Sequence, residues 1–190
     1  MEYLILFISA ILVNNVVFSQ FLGICPFLGV SKKLDTALGM GAAVTFVVTI
    51  ATLITFAIQR LVLDPFEIGF MQNIAFILVI ASVVQMLEMI LKKISPALFQ
   101  ALGVFLPLIT TNCMILGVAI LVIQKDYNLG QSIVYAISTA IGYTLAIVIF
   151  SVIREQLSKT KVPPALAGVP IALIVAGILS MAFMGFAGLV

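Results

Sequence analysis

The sequence predicts an all-α integral membrane protein with six transmembrane helices, arranged as an inverted repeat of three plus three. The first observation is composition, because 64% of the 190 residues are hydrophobic and only 8% are charged, whereas soluble domains carry roughly 25% charged residues. The second is a set of six apolar runs, each close to the length that crosses about 30 Å of hydrocarbon. The third is a short cysteine motif that occurs once in each half of the chain.

Composition also excludes several classes of function. The formal net charge of +2 is too small, and too confined to links, to favour nucleic acid or an acidic substrate. Two cysteines cannot build a disulfide framework. The apolar start at Tyr3 has no basic region before it, so we do not expect a removable signal peptide.

The six apolar runs are predicted to be helices that together form a single transmembrane domain over residues 1–190. Each backbone amide in lipid must be satisfied within its own segment or in a closed barrel, and these runs lack the alternation of barrel strands. The runs cover residues 3–22, 36–58, 70–91, 97–123, 130–153 and 169–188.

Basic residues predict how the helices are oriented in the cell membrane. The links after the first, third and fifth runs hold Lys32, Lys33, Lys92, Lys93, Arg154, Lys159 and Lys161. The opposite links hold only Arg60 and Lys125. Because cytoplasmic links are enriched in lysine and arginine, the first set is expected in the cytoplasm. With six crossings, both termini are then expected outside.

The cysteine motif indicates an internal duplication. Residues 25–30 read CPFLGV and residues 113–118 read CMILGV, and the later DTALG of residues 35–39 aligns with the DYNLG of residues 126–130. Repeat one is therefore expected over about 1–94 and repeat two over about 95–190. An odd number of crossings per repeat inverts the second copy, which places a pseudo-two-fold axis in the membrane plane.

Both cysteines are expected near the membrane midplane. At a rise of 1.5 Å per residue, Cys25 lies roughly 10 Å from Lys32 and Cys113 roughly 18 Å from Lys125. Measured from opposite faces of a core about 30 Å thick, both distances end close to its centre.

The backbone around the cysteines is expected to interrupt helices 1 and 4. Pro26 should push Cys25 away from helical dihedrals toward an extended conformation, and Gly23 precedes it. In the second copy Pro107 removes a helical hydrogen bond, while residues 110–112 (TTN) supply polar groups for freed carbonyls. Corresponding interruptions in two repeats point to a functional centre.

Simpler interpretations of these features stand beside the functional one. Proline kinks and free cysteines that behave as small hydrophobic residues are common in transmembrane helices, although their symmetric placement favours a joint role. Asn14 and Asn15 are expected in the middle of the first helix, where hydrogen bonding between helices is preferred over an ion path.

Two midplane thiolates suit a soft metal or an iron–sulfur centre, because coordination removes the penalty of a thiolate in low dielectric. A cluster with four cysteine ligands needs two more than this chain contains, so the others would come from another copy or a related protein. The competing chemistry is a disulfide between Cys25 and Cys113, and it needs Cα atoms about 4.4 to 6.8 Å apart.

Several longer motifs carry a family resemblance. They are LGICPFLGVSKKL, LGVFLPLITTNC, VIRE, VPP and the C-terminal AFMGFAGL. Over nearly the whole chain they closely resemble the family of A subunits of the Rnf ion-translocating oxidoreductases. The E subunit of the Na⁺-translocating NADH:quinone reductase is similar but a weaker match.

The resemblance implies a membrane subunit of a redox-driven, ion-translocating enzyme. The A subunit of that family pairs with an oppositely inserted paralogue, the E subunit, and the two share one [2Fe-2S] cluster, whose ligands here would be Cys25 and Cys113. The residues expected to support the two cysteine loops are Gly23, Pro26, Thr111, Asn112 and Gly117. The implied complex, with Rnf subunits B, C, D, E and G, carries electrons between ferredoxin and NAD⁺ and moves Na⁺ or H⁺.

The resemblance implies that FMN and NAD bind to other subunits, and the chain has neither a Rossmann glycine fingerprint nor a P-loop. We therefore expect no complete catalytic site in this chain alone. Two other functions stay open: a secondary transporter-like carrier or channel, since broken helices and inverted repeats are also typical of transporters, and a structural scaffold that would tolerate loss of both cysteines.

Overall fold

The computed structural model describes residues 2–31, 34–66, 69–94, 106–160, 163 and 166–188. All regular structure within these ranges is helical, with no strand. The all-α prediction is confirmed for this part of the chain. The predictions made for Lys32, Lys33, Lys161, Pro164 and residues 97–105 of the fourth run lie outside the described residues.

The described helices follow one another through short links. They are α1 (Glu2–Ile8, continued as a π-helix over Ser9–Val13), α2 (Ile24–Val30), α3 (Leu34–Ile58, continued by Gln59–Leu63 and Asp64–Phe66), α4 (Gln72–Ile94, after the 3₁₀ turn Gly69–Met71), α5 (Leu106–Thr110), α6 (Cys113–Gln124), α7 (Leu129–Ser158) and α8 (Val169–Met184, followed by the 3₁₀ turn Gly185–Gly188).

Three helical stretches are long and apolar enough to cross a membrane, judged by length and composition. They are Leu34–Leu63, Gln72–Ile90 and Leu129–Ser158. Three shorter apolar helices are Tyr3–Val13, Leu108–Gln124 and Val169–Met184. These six segments follow the order of the six predicted runs. The number of crossings and the inversion of the second repeat stay predictions, because three segments fall short of the usual spanning length.

The prediction of a first helix over residues 3–22 is wrong for its C-terminal half. Helical structure ends at Val13, where Asn14 leaves the helical region with φ −103° and ψ 46°, and the α-helix resumes only at Ile24. Phe21 has φ 54° and Gly23 has φ 79°, so both lie in the left-handed region that no right-handed helix contains. Asn14 and Asn15 therefore stand in a break rather than in mid-helix.

Asn15 joins this break to α7. Its buried side-chain amide donates to the carbonyl oxygen of Gly142 at 2.9 Å, and its Oδ1 accepts from the N–H of Val17 at 3.1 Å. Hydrogen bonding between helices, the preferred interpretation of Asn15, is thus confirmed. Gly142 permits the approach, since a Cβ there would lie 3.2 Å from the Asn15 amide nitrogen.

The helices α3 and α7 form the centre of the molecule. They approach closely at Gly41, where an added Cβ would meet Cγ2 of Thr144 at 2.5 Å and Oγ1 at 2.6 Å. Fully buried residues of both helices, among them Val44, Tyr143 and Ile147, lie in the core around this contact. Because backbones approach this closely only past a residue without a side chain, Gly41 sets the distance between the two helices.

Substituting Gly41 tests that distance. We expect Gly41→Ala to lower the free energy of unfolding in detergent by about 1–3 kcal/mol, the usual cost of overpacking. Adding Thr144→Ala removes the two nearest atoms, so the double variant should recover at least half of the loss. An equal cost of Gly41→Ala in both backgrounds would show that Thr144 is not the residue it collides with.

Candidate functional site

The two cysteines lie at the N-terminal ends of two helices, α2 and α6. Cys25 is the second residue of α2, and Cys113 is the first residue of α6. The expectation that Cys25 is extended is wrong, because Pro26 falls in the first turn of α2, where a missing N–H costs no helical hydrogen bond. The first such bond runs from the N–H of Phe27 to the carbonyl of Gly23 at 3.2 Å.

Gly23 connects the two cysteine segments. It precedes α2 with φ 79° and ψ 20°, and its N–H donates to Sγ of Cys113 at 2.9 Å. An N–H directed at sulfur complements a thiolate, which is the form of cysteine that binds metals. The structure therefore brings the loop before Cys25 directly against Cys113.

Asn112 begins the second cysteine helix. Its backbone is extended, with φ −72° and ψ 109°, and its Oδ1 accepts from the N–H of Met114 at 3.1 Å. This is the N-cap arrangement that asparagine favours. Thr111 is exposed in the turn between α5 and α6, so Asn112 rather than Thr111 makes the buried contact that orients Cys113.

The repeated Leu-Gly-Val segments exchange leucines. A Cβ on Gly117 of the second segment would meet Cδ1 of Leu22 at 2.5 Å. A Cβ on Gly29 of the first segment would meet Cδ1 of Leu108 at 3.4 Å. Each glycine thus receives a leucine from the other half of the chain, which packs the two cysteine segments against each other.

The C-terminal end of α2 is held by α7. The ring of Phe27 stacks on Phe150 with centroids 4.1 Å apart. One nitrogen of Arg154, Nη1, donates to the carbonyl of Leu28 at 2.7 Å and to Oγ of the buried Ser31 at 2.9 Å. A cation that satisfies the last carbonyls of a helix stabilises its C-terminus, so Arg154 fixes the helix that carries Cys25.

We expect Arg154→Ala to lower the free energy of unfolding by about 2–3 kcal/mol, because hydrogen bonds from a charged donor contribute roughly 1.5–3 kcal/mol. Alkylation of Cys25 should also become faster as α2 loosens. Lys159→Ala is the matched control, since its ion pair with Glu155 is 3.2 Å long and solvent-exposed and should contribute less than about 1 kcal/mol. Equal losses in both variants would contradict the capping role.

The chemistry of the two sulfurs fits a shared metal centre better than one completed by this chain. Both cysteines are free thiols, with Cys25 exposed and Cys113 partly buried. Within the described residues no group of three or more histidine, cysteine or acidic side chains surrounds either of them. An exposed thiol beside a partly buried, hydrogen-bonded one leaves room for ligands from another protein chain.

Sequence reasoning missed two residues at this site. Tyr143 is fully buried, and its Cε2 lies 3.1 Å from the Cβ position of Gly23. Arg154 enters the sequence prediction only as an orienting charge. Both act across more than about 110 positions of sequence, so no local pattern could have identified them.

Comparisons with known proteins agree over the whole chain. The family described as Rnf-Nqr subunit, membrane protein, matches residues 3–190. The chain is 57% identical over 189 residues to the A subunit of the Na(+)-translocating ferredoxin:NAD(+) oxidoreductase complex of Acetobacterium woodii, covering 100% of this chain and 98% of the relative. It is 58% identical to the A subunit of the ion-translocating oxidoreductase complex of Syntrophotalea carbinolica, covering 98% and 97%. The same-named protein of Serratia proteamaculans is 54% identical, covering 100% and 98%.

Proposed function

Because the chain belongs to the Rnf-Nqr family of membrane subunits, we propose that it is a membrane subunit of an Rnf-type ion-translocating oxidoreductase complex. The names of its relatives describe the A subunit of such a complex, and their alignment with this chain is nearly complete at both ends. The enzyme activity belongs to the assembly, in which this chain supplies part of a redox site.

Within that assembly Cys25 and Cys113 supply two of the four ligands of a [2Fe-2S] cluster. The observation that carries this proposal is the hydrogen bond from the Gly23 N–H to Sγ of Cys113, because it joins the two cysteine segments at one place. The exposure of Cys25 leaves the site open to a partner, and the paralogous E subunit would bring the other two cysteines.

The residues around the sulfurs suit such a group. The bound cluster would supply one-electron transfer, with thiolates as its natural ligands. Gly23 donates to the sulfur of Cys113, Asn112 caps the helix that begins with Cys113, and Arg154 caps the helix that carries Cys25. Together these contacts hold both ligands on rigid elements, as a redox site requires.

The inverted repeat is supported by the leucine exchange. If Gly29 and Gly117 are equivalent positions of two-fold related copies, each should receive a side chain from the other copy, as Leu108 and Leu22 do. The two central helices α3 and α7, one from each proposed repeat, also pack on each other. With both cysteines near the midplane, the chain would pass electrons between the cytoplasmic and outer sides of the cell membrane.

The remaining parts of the assembly follow from the same proposal. Rnf subunits B, C, D, E and G are the partners, FMN and NAD bind to those proteins rather than to this chain, and both termini of this chain face outward. The coupled ion is Na⁺ or H⁺, and the name of the Acetobacterium woodii relative specifies Na⁺ for that protein.

The proposal is tested by reconstituting the whole complex in sealed vesicles. Reduced ferredoxin should drive both NAD⁺ reduction and ion movement, and Cys25→Ser or Cys113→Ser should stop both while the complex still assembles. Electron transfer that continues in both variants at the wild-type rate would reject the redox role. In that case ion or solute uptake without bound iron would identify the transporter-like alternative.

A further inference from the structure

Buried polar side chains without a partner cluster at Cys113. Five buried side-chain atoms in the described part of the chain lack a hydrogen-bond partner: Thr52 Oγ1, Gln59 Oε1, Asn112 Nδ2, Tyr143 Oη and Ser151 Oγ. An unsatisfied buried donor costs roughly 1–3 kcal/mol, so each one calls for an explanation. Two of the five, Asn112 and Tyr143, belong to the surroundings of Cys113.

Tyr143 reaches this place from α7. Its side chain is fully buried, and the ring atom next to the hydroxyl-bearing carbon, Cε2, lies 3.1 Å from the Cβ position of Gly23. The N–H of the same Gly23 contacts Sγ of Cys113 at 2.9 Å. The hydroxyl-bearing edge of the ring and the sulfur therefore flank one glycine.

Asn112 reaches the place from the chain next to Cys113. Its Oδ1 lies 3.3 Å from the Cβ position of Gly23 and accepts from the N–H of Met114. Because Oδ1 is fixed as the helix cap, the amide nitrogen Nδ2 is fixed too, and it is buried with no acceptor. Asparagine would keep a buried N–H₂ group here at a cost unless an acceptor arrives.

We propose that the Tyr143 hydroxyl and the Asn112 amide are positioning residues that donate hydrogen bonds to the sulfur atoms of the group bound at Cys113 and thereby raise its reduction potential. This inference rests on the proposed function, because the acceptor is brought by the cluster. Reduction adds one negative charge, and donors directed at sulfur stabilise the reduced form more than the oxidised form.

The test is a redox titration of the purified complex with dithionite, followed by electron paramagnetic resonance and accompanied by iron analysis. Tyr143→Phe removes only the hydroxyl and keeps the ring packing. We expect unchanged iron content and a midpoint shifted to lower potential, with the equilibrium constant for reduction about tenfold smaller, or about 59 mV for one electron.

Asn112→Asp provides the second, independent variant. Aspartate keeps the N-cap acceptor for the Met114 N–H but replaces the amide donor with a carboxylate oxygen, so its midpoint should fall further than that of Tyr143→Phe. Tyr135→Phe is the matched control on α7. Tyr135 is also buried but packs beside Tyr127, with ring centroids 5.5 Å apart, and its loss should leave the midpoint unchanged.

The outcomes separate the two levels of the argument. A reduced-cluster signal in the wild-type complex with midpoints unchanged in both Tyr143→Phe and Asn112→Asp would overturn this inference and leave the proposed function intact. A wild-type complex without iron or signal would overturn the proposed function itself. Lower midpoints in the two variants, with Tyr135→Phe unchanged, would establish the hydrogen-bond donors.

Discussion

Replacing Cys113 by serine is expected to reduce ferredoxin-driven electron transfer through the complex to background while the protein stays folded. The thiolate is the natural ligand of iron–sulfur clusters, and serine offers a far less acidic hydroxyl. Its oxygen can still accept the N–H of Gly23, which Cys113 Sγ accepts at 2.9 Å. The loss in free energy of unfolding should therefore stay below about 1 kcal/mol, the usual net contribution of one hydrogen bond.

Cys25→Ser is expected to have the same effect on electron transfer, and the double variant should be no worse than either single one, because ligands of one centre act together. Cys113→Ala provides a structural comparison. It leaves the Gly23 N–H without its acceptor and should cost about 1–3 kcal/mol of additional stability. A Cys113→Ser complex that is fully assembled and fully active would exclude the ligand role.

Gly23→Ala is expected to be the most damaging substitution that leaves both cysteines in place. Gly23 has φ 79°, and an added Cβ would lie 3.1 to 3.3 Å from Tyr143, Met114 and Asn112. A left-handed conformation costs a residue with a side chain roughly 1–2 kcal/mol, and crowding adds to this. We expect a total loss of about 2–3 kcal/mol in the free energy of unfolding, together with a displaced N–H at Cys113 and a weaker cluster signal.

Gly177→Ala is the control for this effect. Gly177 lies inside α8, and a Cβ there would meet no atom within 4 Å. Since alanine is the better helix former by roughly 0.5–1 kcal/mol, this variant should be as stable as the wild type or slightly more stable. A similar loss at Gly177 and Gly23 would mean that the special geometry at Gly23 has no effect.

The helical class and the pairing of the two cysteine segments are predictable from sequence, because both depend on strong patterns. Apolar runs of spanning length leave the backbone little choice but a helix. The matching motifs at Cys25 and Cys113 indicate equivalent positions, and the structure brings Gly23 of the first segment against Cys113 of the second. The midplane position and the inversion stay predictions.

Other features could not be predicted because long-range contacts decide them. Hydropathy runs on without a gap through residues 16–18 (VVF), yet these residues lie in the break after Val13, which Asn15 and Ser180 stabilise through bonds to Gly142 and Phe18. The prediction for Cys25 is wrong because it treats Pro26 as a helix breaker. The proline falls in a first turn, and whether a turn is the first depends on where the preceding break ends.

Iron content and electron paramagnetic resonance of this chain, purified together with its membrane paralogue and reduced with dithionite, test the central claim most directly. The proposed shared site predicts two irons per pair of proteins and a reduced-cluster signal that disappears in Cys25→Ser and in Cys113→Ser, although the pair still assembles. A well-folded wild-type pair with no iron and no signal would contradict the claim that these two cysteines hold a cluster.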